Sequence, residues 1–366
     1  MISEPKYGTD ALNMQTTFEI IGDKVKIKGI KHWQGLTGQA DYWIVAGRMI
    51  CNNAMAKHIS LCVVPKQLVR HELFKTQGLS IIQYGKNFLD LEVPIENLFE
   101  DSLNSNTPLL DILNRSRMQF SGMAIGYLKK ILRKTEIQTS RRAIRGKKLK
   151  SVPSVQKSIS LLQVYYTITK ACNQYAAVNS GIEFDLSTET IIANSIKITV
   201  TDFMHKASDL NIQLSGGNSF KAGHFGFQGL IDSRPFEIFE GPNDMLINQI
   251  GRMSLIGMRK NTITNVQDFI NEIVLNNAKS DSSKKLQTSC NYTIDCNKSN
   301  IKDYSNIIGR LVTILLNTYF VYNLKSQKFN DYLINNALIY LENRFEIEVF
   351  KLNNDLPLHQ YQTVIV

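Results

Sequence analysis

Apolar residues fall in short, strand-length runs along the first hundred residues, which read as β structure. In Phe18-Glu19-Ile20-Ile21-Gly22-Asp23-Lys24-Val25-Lys26-Ile27 apolar positions flank Gly22-Asp23 on both sides, which predicts a β-hairpin with that pair as its turn. Further strands are predicted at 42–46, 59–64 and 88–93, each bounded by Gly, Pro or Asn. At Pro108 the period changes. Residues 109–135 carry Met118, Met123, Ile125, Leu128 and Leu132 at helical spacing, and 152–179 and 187–210 are two more amphipathic helices. Ser187 opens the last of these, with Glu189 in its first turn. A polar stretch at 276–285 follows as a linker, and 301–350 has the pattern of two helices. The expected fold class is α+β, with a barrel-like β domain at 1–105 and a helical bundle at 106–260. A linker at 261–300 and an additional helical segment at 301–366 complete it.

Composition narrows the class. With 366 residues, 43% of them hydrophobic, the chain can bury more than one core and is neither disordered nor fibrous. Its five cysteines are odd in number and lack C-x-x-C spacing, which argues against a disulfide framework and a zinc site. The longest apolar run, 307–322, is broken by Arg310, Asn317 and Thr318, and no secretory pattern opens the chain. The expectation is therefore a cytoplasmic protein without a membrane span. The net charge is +10, and ten Lys or Arg lie between 129 and 150 against one acid, Glu136. Such a run forms a solvated face or meets a polyanion. No aromatic residues interleave with it and no nucleic-acid motif accompanies it, so nucleic acid is not the expected partner.

The chemistry concentrates in Ile231-Asp232-Ser233-Arg234-Pro235-Phe236-Glu237-Ile238-Phe239-Glu240-Gly241-Pro242-Asn243-Asp244. Glu240 stands in an apolar run before a Gly-Pro break. Desolvation by Ile238 and Phe239 would disfavour its charged form and lift its pKa from about 4.3 toward the ~6–7 of a general base. The same pattern also suits a solvated carboxylate at the end of an element.

Further motifs give the segment a context. They are Ser3-Glu4-Pro5-Lys6-Tyr7-Gly8-Thr9-Asp10, Lys31-His32-Trp33, Arg142-Ala143-Ile144-Arg145-Gly146 and Gln213-Leu214-Ser215-Gly216-Gly217-Asn218. In this order, over roughly residues 1–258, the chain resembles the acyl-CoA dehydrogenase family. The resemblance implies a flavoprotein that binds FAD and oxidises an acyl-CoA, or an acyl-carrier-protein thioester, to the 2,3-enoyl thioester, as in fatty acid metabolism. Glu240 would be the catalytic base, with Gly241 and Arg117 on the substrate side. Ser3, Thr9, Trp33, Arg142, Arg145, Gln213, Gly216, Gly217 and Asp244 would contact the cofactor. It further implies a homodimer or homotetramer, because Arg142 and Gln213 match residues that reach a neighbouring subunit, and an electron-transferring flavoprotein as acceptor. An acidic carrier protein or the phosphates of coenzyme A would account for the positive charge. No metal is implied.

Read without the family, several of these residues keep a plainer role. Trp33 suits a core or hairpin tryptophan, Gly216-Gly217 a helix C-cap, and Arg117 an exposed arginine near a helix start. The chain also departs from the family. It opens inside the flavin loop, without the usual N-terminal helical domain, so either Met1 is internal to a longer frame or one wall of the acyl pocket is missing. In the latter case the chain alone would turn over acyl-CoA poorly. Ser116 stands where some members carry an alternative base. Gly35 replaces a flavin-contacting hydroxyl, with Thr37 as the expected substitute, Arg145 replaces a Phe, and Pro242 and Asp244 replace Thr and Gln. A flavin-poor binding or scaffolding protein, or a nucleic-acid-associated one, is the alternative.

Overall fold

A computed structural model describes residues 1–276, 285–294 and 301–354, so most of the stretch expected as a linker, 277–284, lies outside the described residues. The chain divides into two compact units. One comprises Met1–Ser116, Ile182–Thr190 and Phe220–Pro242, the other Arg117–Gly181, Ile191–Ser219 and Asn243–Val366.

The first unit is built on β1 (Thr17–Ile21), β2 (Lys24–Gly35), β3 (Tyr42–Cys51), β4 (Ala54–Met55), β5 (Ser60–Pro65), β6 (Arg70–Leu73) and β7 (Tyr84–Pro94). The β1/β2 hairpin closes on Gly22, whose φ of 62° only glycine adopts freely. These strands form one seven-stranded sheet in the order β4-β3-β1-β2-β7-β6, with β5 paired to β3. The sheet has free edges at β4 and β6, so it is an open sheet, and the expected barrel-like closure is corrected accordingly. Alternation puts Phe18, Val25, Ile27, Val45, Val64, Leu89, Leu91 and Val93 into one buried cluster.

From the end of the sheet, α1 (Thr107–Arg141) starts one residue before Pro108, where the fixed proline φ and missing N–H are harmless. Then come the short hairpin β8 (Ala143–Ile144) and β9 (Lys147–Lys148), α2 (Pro153–Asn179), α3 (Thr190–Ser215), α4 (Phe225–Ser233), α5 (Asn243–Lys260), α6 (Val266–Asn276), α7 (Ile301–Asn323) and α8 (Asp331–Asn353). Most of these helices make the second unit. Helix α7 is its buried centre, with Ile308, Leu311, Val312, Leu315, Leu316 and Val321 fully buried. The stretch Tyr304–Gln327 is long and apolar enough to cross a membrane by length and composition, yet 78% of its 18-residue apolar window is buried, as in a core helix.

Helices α5 and α7 cross with their backbones in contact. A methyl group on Gly251 would lie 1.8 Å from the Ser305 carbonyl oxygen, and one on Gly309 would lie 2.0 Å from that of Ile247. Gly309→Ala must therefore force the helices apart, at a cost of about 1–3 kcal/mol. It is expected to lower the urea midpoint of the second unit's unfolding. Gly126→Ala, exposed on α1 with nothing within 4 Å of the added methyl, is expected to raise stability slightly.

Candidate functional site

The Ser3-Glu4-Pro5 loop is pinned to the sheet by a buried ion pair. Lys31 follows Val25 and Ile27 on the inward parity of β2 and is fully buried. Its ammonium lies 3.0 Å from Glu4 Oε1 and also donates to the Ile2 carbonyl at 3.0 Å. Glu4 further accepts the Thr16 hydroxyl at 2.6 Å and the Thr16 and Gln15 N–H groups at 2.9 and 2.7 Å. Burial works against the Glu4 charge, but the Lys31 ammonium and these donors hold its carboxyl below the usual range. Burial also pushes Lys31 down, to about 8, with Glu4 pulling the other way. The pair fixes Ser3 beside β2, where the His32 N–H donates to the Ser3 carbonyl at 2.9 Å.

One residue on, β2 bulges. The β2/β7 register shifts between His32 and Gln34, and the residue thrown out of the ladder is Trp33, with φ 62°. A bulky residue with left-handed backbone is strained, and such strain gathers where a side chain must be aimed. Trp33 is 53% exposed, which excludes the core-tryptophan alternative. Its ring sits 4.8 Å from that of Phe74 and 5.5 Å from that of His32, centroid to centroid.

Segment 225–241 reaches the same end of the sheet. Asp232 accepts the Leu79 N–H at 2.7 Å, and Gly78 approaches the Ile231 backbone so closely that a methyl would lie 2.8 Å from its carbonyl oxygen. The Phe239 ring lies 5.6 Å from that of Tyr84. Tyr84 in turn pairs with Gly35, two residues past Trp33, and its carbonyl accepts the Phe74 N–H at 2.8 Å. Tyr84 is thus shared by the Trp33 bulge and the approach to Glu240. Glu240 is half-buried at φ 55° and Gly241 follows at φ 100°, so the chain turns sharply at the candidate base. Ile238 is 52% exposed; of the two residues expected to desolvate Glu240, Phe239 is the packed one. Glu237 is ion-paired with Arg234. The hydroxyl expected from Thr37 is unavailable, because Thr37 is fully buried, donates to the Gln34 carbonyl at 2.7 Å and accepts Asn87 at 3.2 Å.

Ser3, Thr9, Trp33, Glu240 and Gly241 therefore belong to the first unit, with Ser3 half-buried and Thr9 exposed. Arg117, Arg142, Arg145, Gln213, Gly216, Gly217 and Asp244 belong to the second. Arg117 is 7% exposed on α1, which sets aside the exposed-arginine alternative. Gly216 ends α3 with φ 56°, the left-handed helix cap, and a methyl there would lie 2.8 Å from Arg142 Nη1. The cap and the guanidinium are thereby brought together. Gly217 faces open space, and Gln213 is exposed on the last turn of α3. Arg145 and Gly146, with φ 47° and 74°, form the exposed tip of the β8/β9 hairpin. Asp244 lies in the first turn of α5, where a carboxylate complements the helix dipole. Two contributors were missed by sequence reasoning. One is the Glu4–Lys31 pair. The other is fully buried Lys197, which donates to Asn243 Oδ1 at 2.8 Å at the start of α5.

Residues 109–255 match the acyl-CoA dehydrogenase C-terminal domain. The chain is 25% identical over 256 residues to the mitochondrial very long-chain specific acyl-CoA dehydrogenase of Rattus norvegicus, covering 67% of this chain and 39% of that protein. The human protein of the same name is 24% identical over the same length. The chain thus spans about two fifths of the curated relatives it matches. Among solved structures, an acyl-CoA dehydrogenase complexed with FAD from Bacillus anthracis superposes with a TM-score of 0.75 at 16% identity, over 100% of this chain and 72% of that one. Butyryl-CoA dehydrogenase from Megasphaera elsdenii gives 0.63 at 19% identity, over 69% and 67%.

Proposed function

We propose that this chain, a relative of the acyl-CoA dehydrogenases that carries their C-terminal domain, binds FAD and oxidises an acyl thioester to the 2,3-enoyl thioester. The observation that carries the reading is the pair of strained turns at one end of the first unit's sheet. One presents the Trp33 ring and the other the Glu240 carboxylate, and both flank Tyr84.

The residues present fit a flavin. Trp33 offers an exposed ring fixed by a bulge, the Ser3 hydroxyl has no hydrogen-bond partner among the described residues, and Gly217 leaves open space beside the Arg142 guanidinium at Gly216. Ser3, Thr9 and Trp33 would hold the flavin end. In the second unit Arg142, Arg145, Gln213, Gly216 and Gly217 would meet the diphosphate and adenosine end of a flavin, for Arg142 and Gln213 that of a second copy, where guanidinium groups suit phosphate oxygens. The carboxylate of Asp244 can accept but not donate, so it serves a sugar hydroxyl rather than a phosphate.

When bound, the flavin supplies the hydride acceptor at N5. The chain supplies the base: Glu240 takes the proton from the carbon next to the thioester carbonyl while the neighbouring carbon loses its hydride. Gly241 follows the base on the substrate side, and the Glu240 backbone N–H donates to the thioester carbonyl, polarising it toward the enolate. Arg142 and Gln213 serve the flavin of a second copy, so the working form is a homodimer or homotetramer, with an electron-transferring flavoprotein as acceptor. The thioester carrier is coenzyme A or an acidic carrier protein.

Purified protein mixed with FAD and freed of unbound dye by gel filtration is expected to retain about one flavin per chain, in a species that light scattering finds larger than one copy. Protein that elutes colourless after FAD loading defeats the proposal. A monomer holding full FAD would leave the flavin site intact but remove the second-copy requirement.

A further inference from the structure

The second unit carries a groove of about 710 Å³ along the C-terminal half of α1, lined by Lys130, Arg133, Lys134, Arg141, Arg142, Ile137, Gln138 and Asn218. Five of the eight lining residues are cations and none is a carboxylate. Helical spacing sets Arg133, Ile137 and Arg141 in one row four residues apart, with Lys130 and Lys134 in the next. Like charges at these spacings disfavour the bare helix, so an occupant carrying negative charge would relieve them. Arg133, Arg141 and Arg142 have no ion-pair partner among the described residues, and all five cations are exposed. The opposite face of α1 is committed to the core through Ala124, Leu128, Ile131, Thr135 and Thr139. The cationic face is therefore not needed to hold α1 in place.

One apolar side chain breaks the row. Ile137 is 41% exposed between Arg133 and Arg141, and no aromatic ring lines the groove. A single-stranded nucleic acid would call for stacking rings as well as cations. A row of cations around an exposed isoleucine instead complements a helix that presents an apolar side chain between carboxylates. We propose that this groove docks an acidic amphipathic helix of a partner protein, with Ile137 meeting its apolar row and Lys130, Arg133, Lys134 and Arg141 meeting its carboxylates. Arg142, at one end of the groove, is also a candidate cofactor residue, so the docking surface proper runs from Lys130 to Arg141.

The test uses the full-length chain, with and without added FAD, and a fluorescein-labelled helical peptide of about 14 residues, the length that spans 130–142. Its leucines are spaced at i, i+3 and i+7 and flanked by glutamates. A scrambled peptide of the same composition and a duplex DNA of similar length are the comparison probes. Fluorescence anisotropy is expected to show salt-sensitive binding of the patterned peptide, weakened at least about tenfold by Arg133→Glu/Lys134→Glu and roughly fivefold by Ile137→Ser. Flavin content should stay unchanged in both variants. Equal affinity for the scrambled peptide, tighter binding of DNA, or loss of peptide binding when FAD is loaded each overturns the proposal. The last of these would assign the groove to the cofactor. Should the double charge reversal fail to fold, Ile137→Ser against the scrambled peptide still decides.

Discussion

Glu240→Gln is expected to slow reduction of the bound flavin by an acyl-CoA about 100-fold or more, the lower end of what a positioned base contributes. The amide keeps the shape and the turn at φ 55° but cannot accept the proton. FAD content should be unchanged, because the cofactor contacts proposed above lie elsewhere. The control is Glu237→Gln, three residues earlier in the same acidic-apolar segment. Glu237 is already committed to Arg234, with its own side chain 12% exposed and the arginine 62% exposed. Its loss is expected to cost little rate. Rapid anaerobic mixing followed at the flavin band measures both variants. A Glu240 variant reduced at the normal rate, beside a slowed Glu237 variant, would move the base and the register of every contact argued from it.

The second large effect is on stability. Lys31→Met removes the ammonium and leaves the Glu4 carboxylate buried without its counter-charge, which costs about 3–5 kcal/mol when one partner of a buried pair is lost. Trp33 and Trp43 are the chain's two tryptophans and both lie in the first unit, so urea unfolding followed by tryptophan fluorescence reports this unit alone. Adding Glu4→Gln to Lys31→Met should recover part of the loss, because the remaining amide is neutral; no recovery would mean that the pair is not coupled. Acid acts on the same pair. Glu4 has a depressed pKa in the folded chain, so its contribution is full above the ordinary carboxylate range and disappears as pH falls through the depressed value. Lys31 adds a window on the basic side. With its pKa lowered from 10.5 to about 8, the unfolded chain binds the extra proton between those values, and stability rises with pH there.

Much of this architecture is readable from periodicity. The hairpin at Gly22-Asp23 is specified mainly by β2, where Val25, Ile27 and Lys31 are buried and the residues between Val25 and Ile27 and on either side are wet, whereas in β1 only Phe18 is buried. Helix α1 runs to Arg141, beyond the apolar repeat that ends near 135, because Thr135 and Thr139 continue its buried face as polar residues. Thr135 accepts Asn211 at 2.8 Å, and Thr139 donates to the Thr135 carbonyl at 2.8 Å. Sheet closure was not legible, since the period of two is the same in a barrel and in an open sheet. Lys31 sits on the inward parity of β2, but a lysine there carries no visible partner when Glu4 is 27 positions away in sequence. The surroundings of Glu240 were only half legible. In a sharp turn adjacent residues point in different directions, so Ile238 faces solvent while Phe239 packs on Tyr84. Thr37 failed as a substitute hydroxyl for a related reason: proximity in sequence to Trp33 does not show that its hydroxyl is already used by Gln34 and Asn87.

In the proposed reaction a flavin and the Glu240 carboxylate together oxidise an acyl thioester. Anaerobic addition of a series of acyl-CoA thioesters of increasing chain length to the FAD-loaded protein tests it most directly. Bleaching of the flavin absorbance by at least one thioester is expected, with the 2,3-enoyl thioester formed in equal amount. A fully flavin-loaded protein that no acyl thioester bleaches would contradict it.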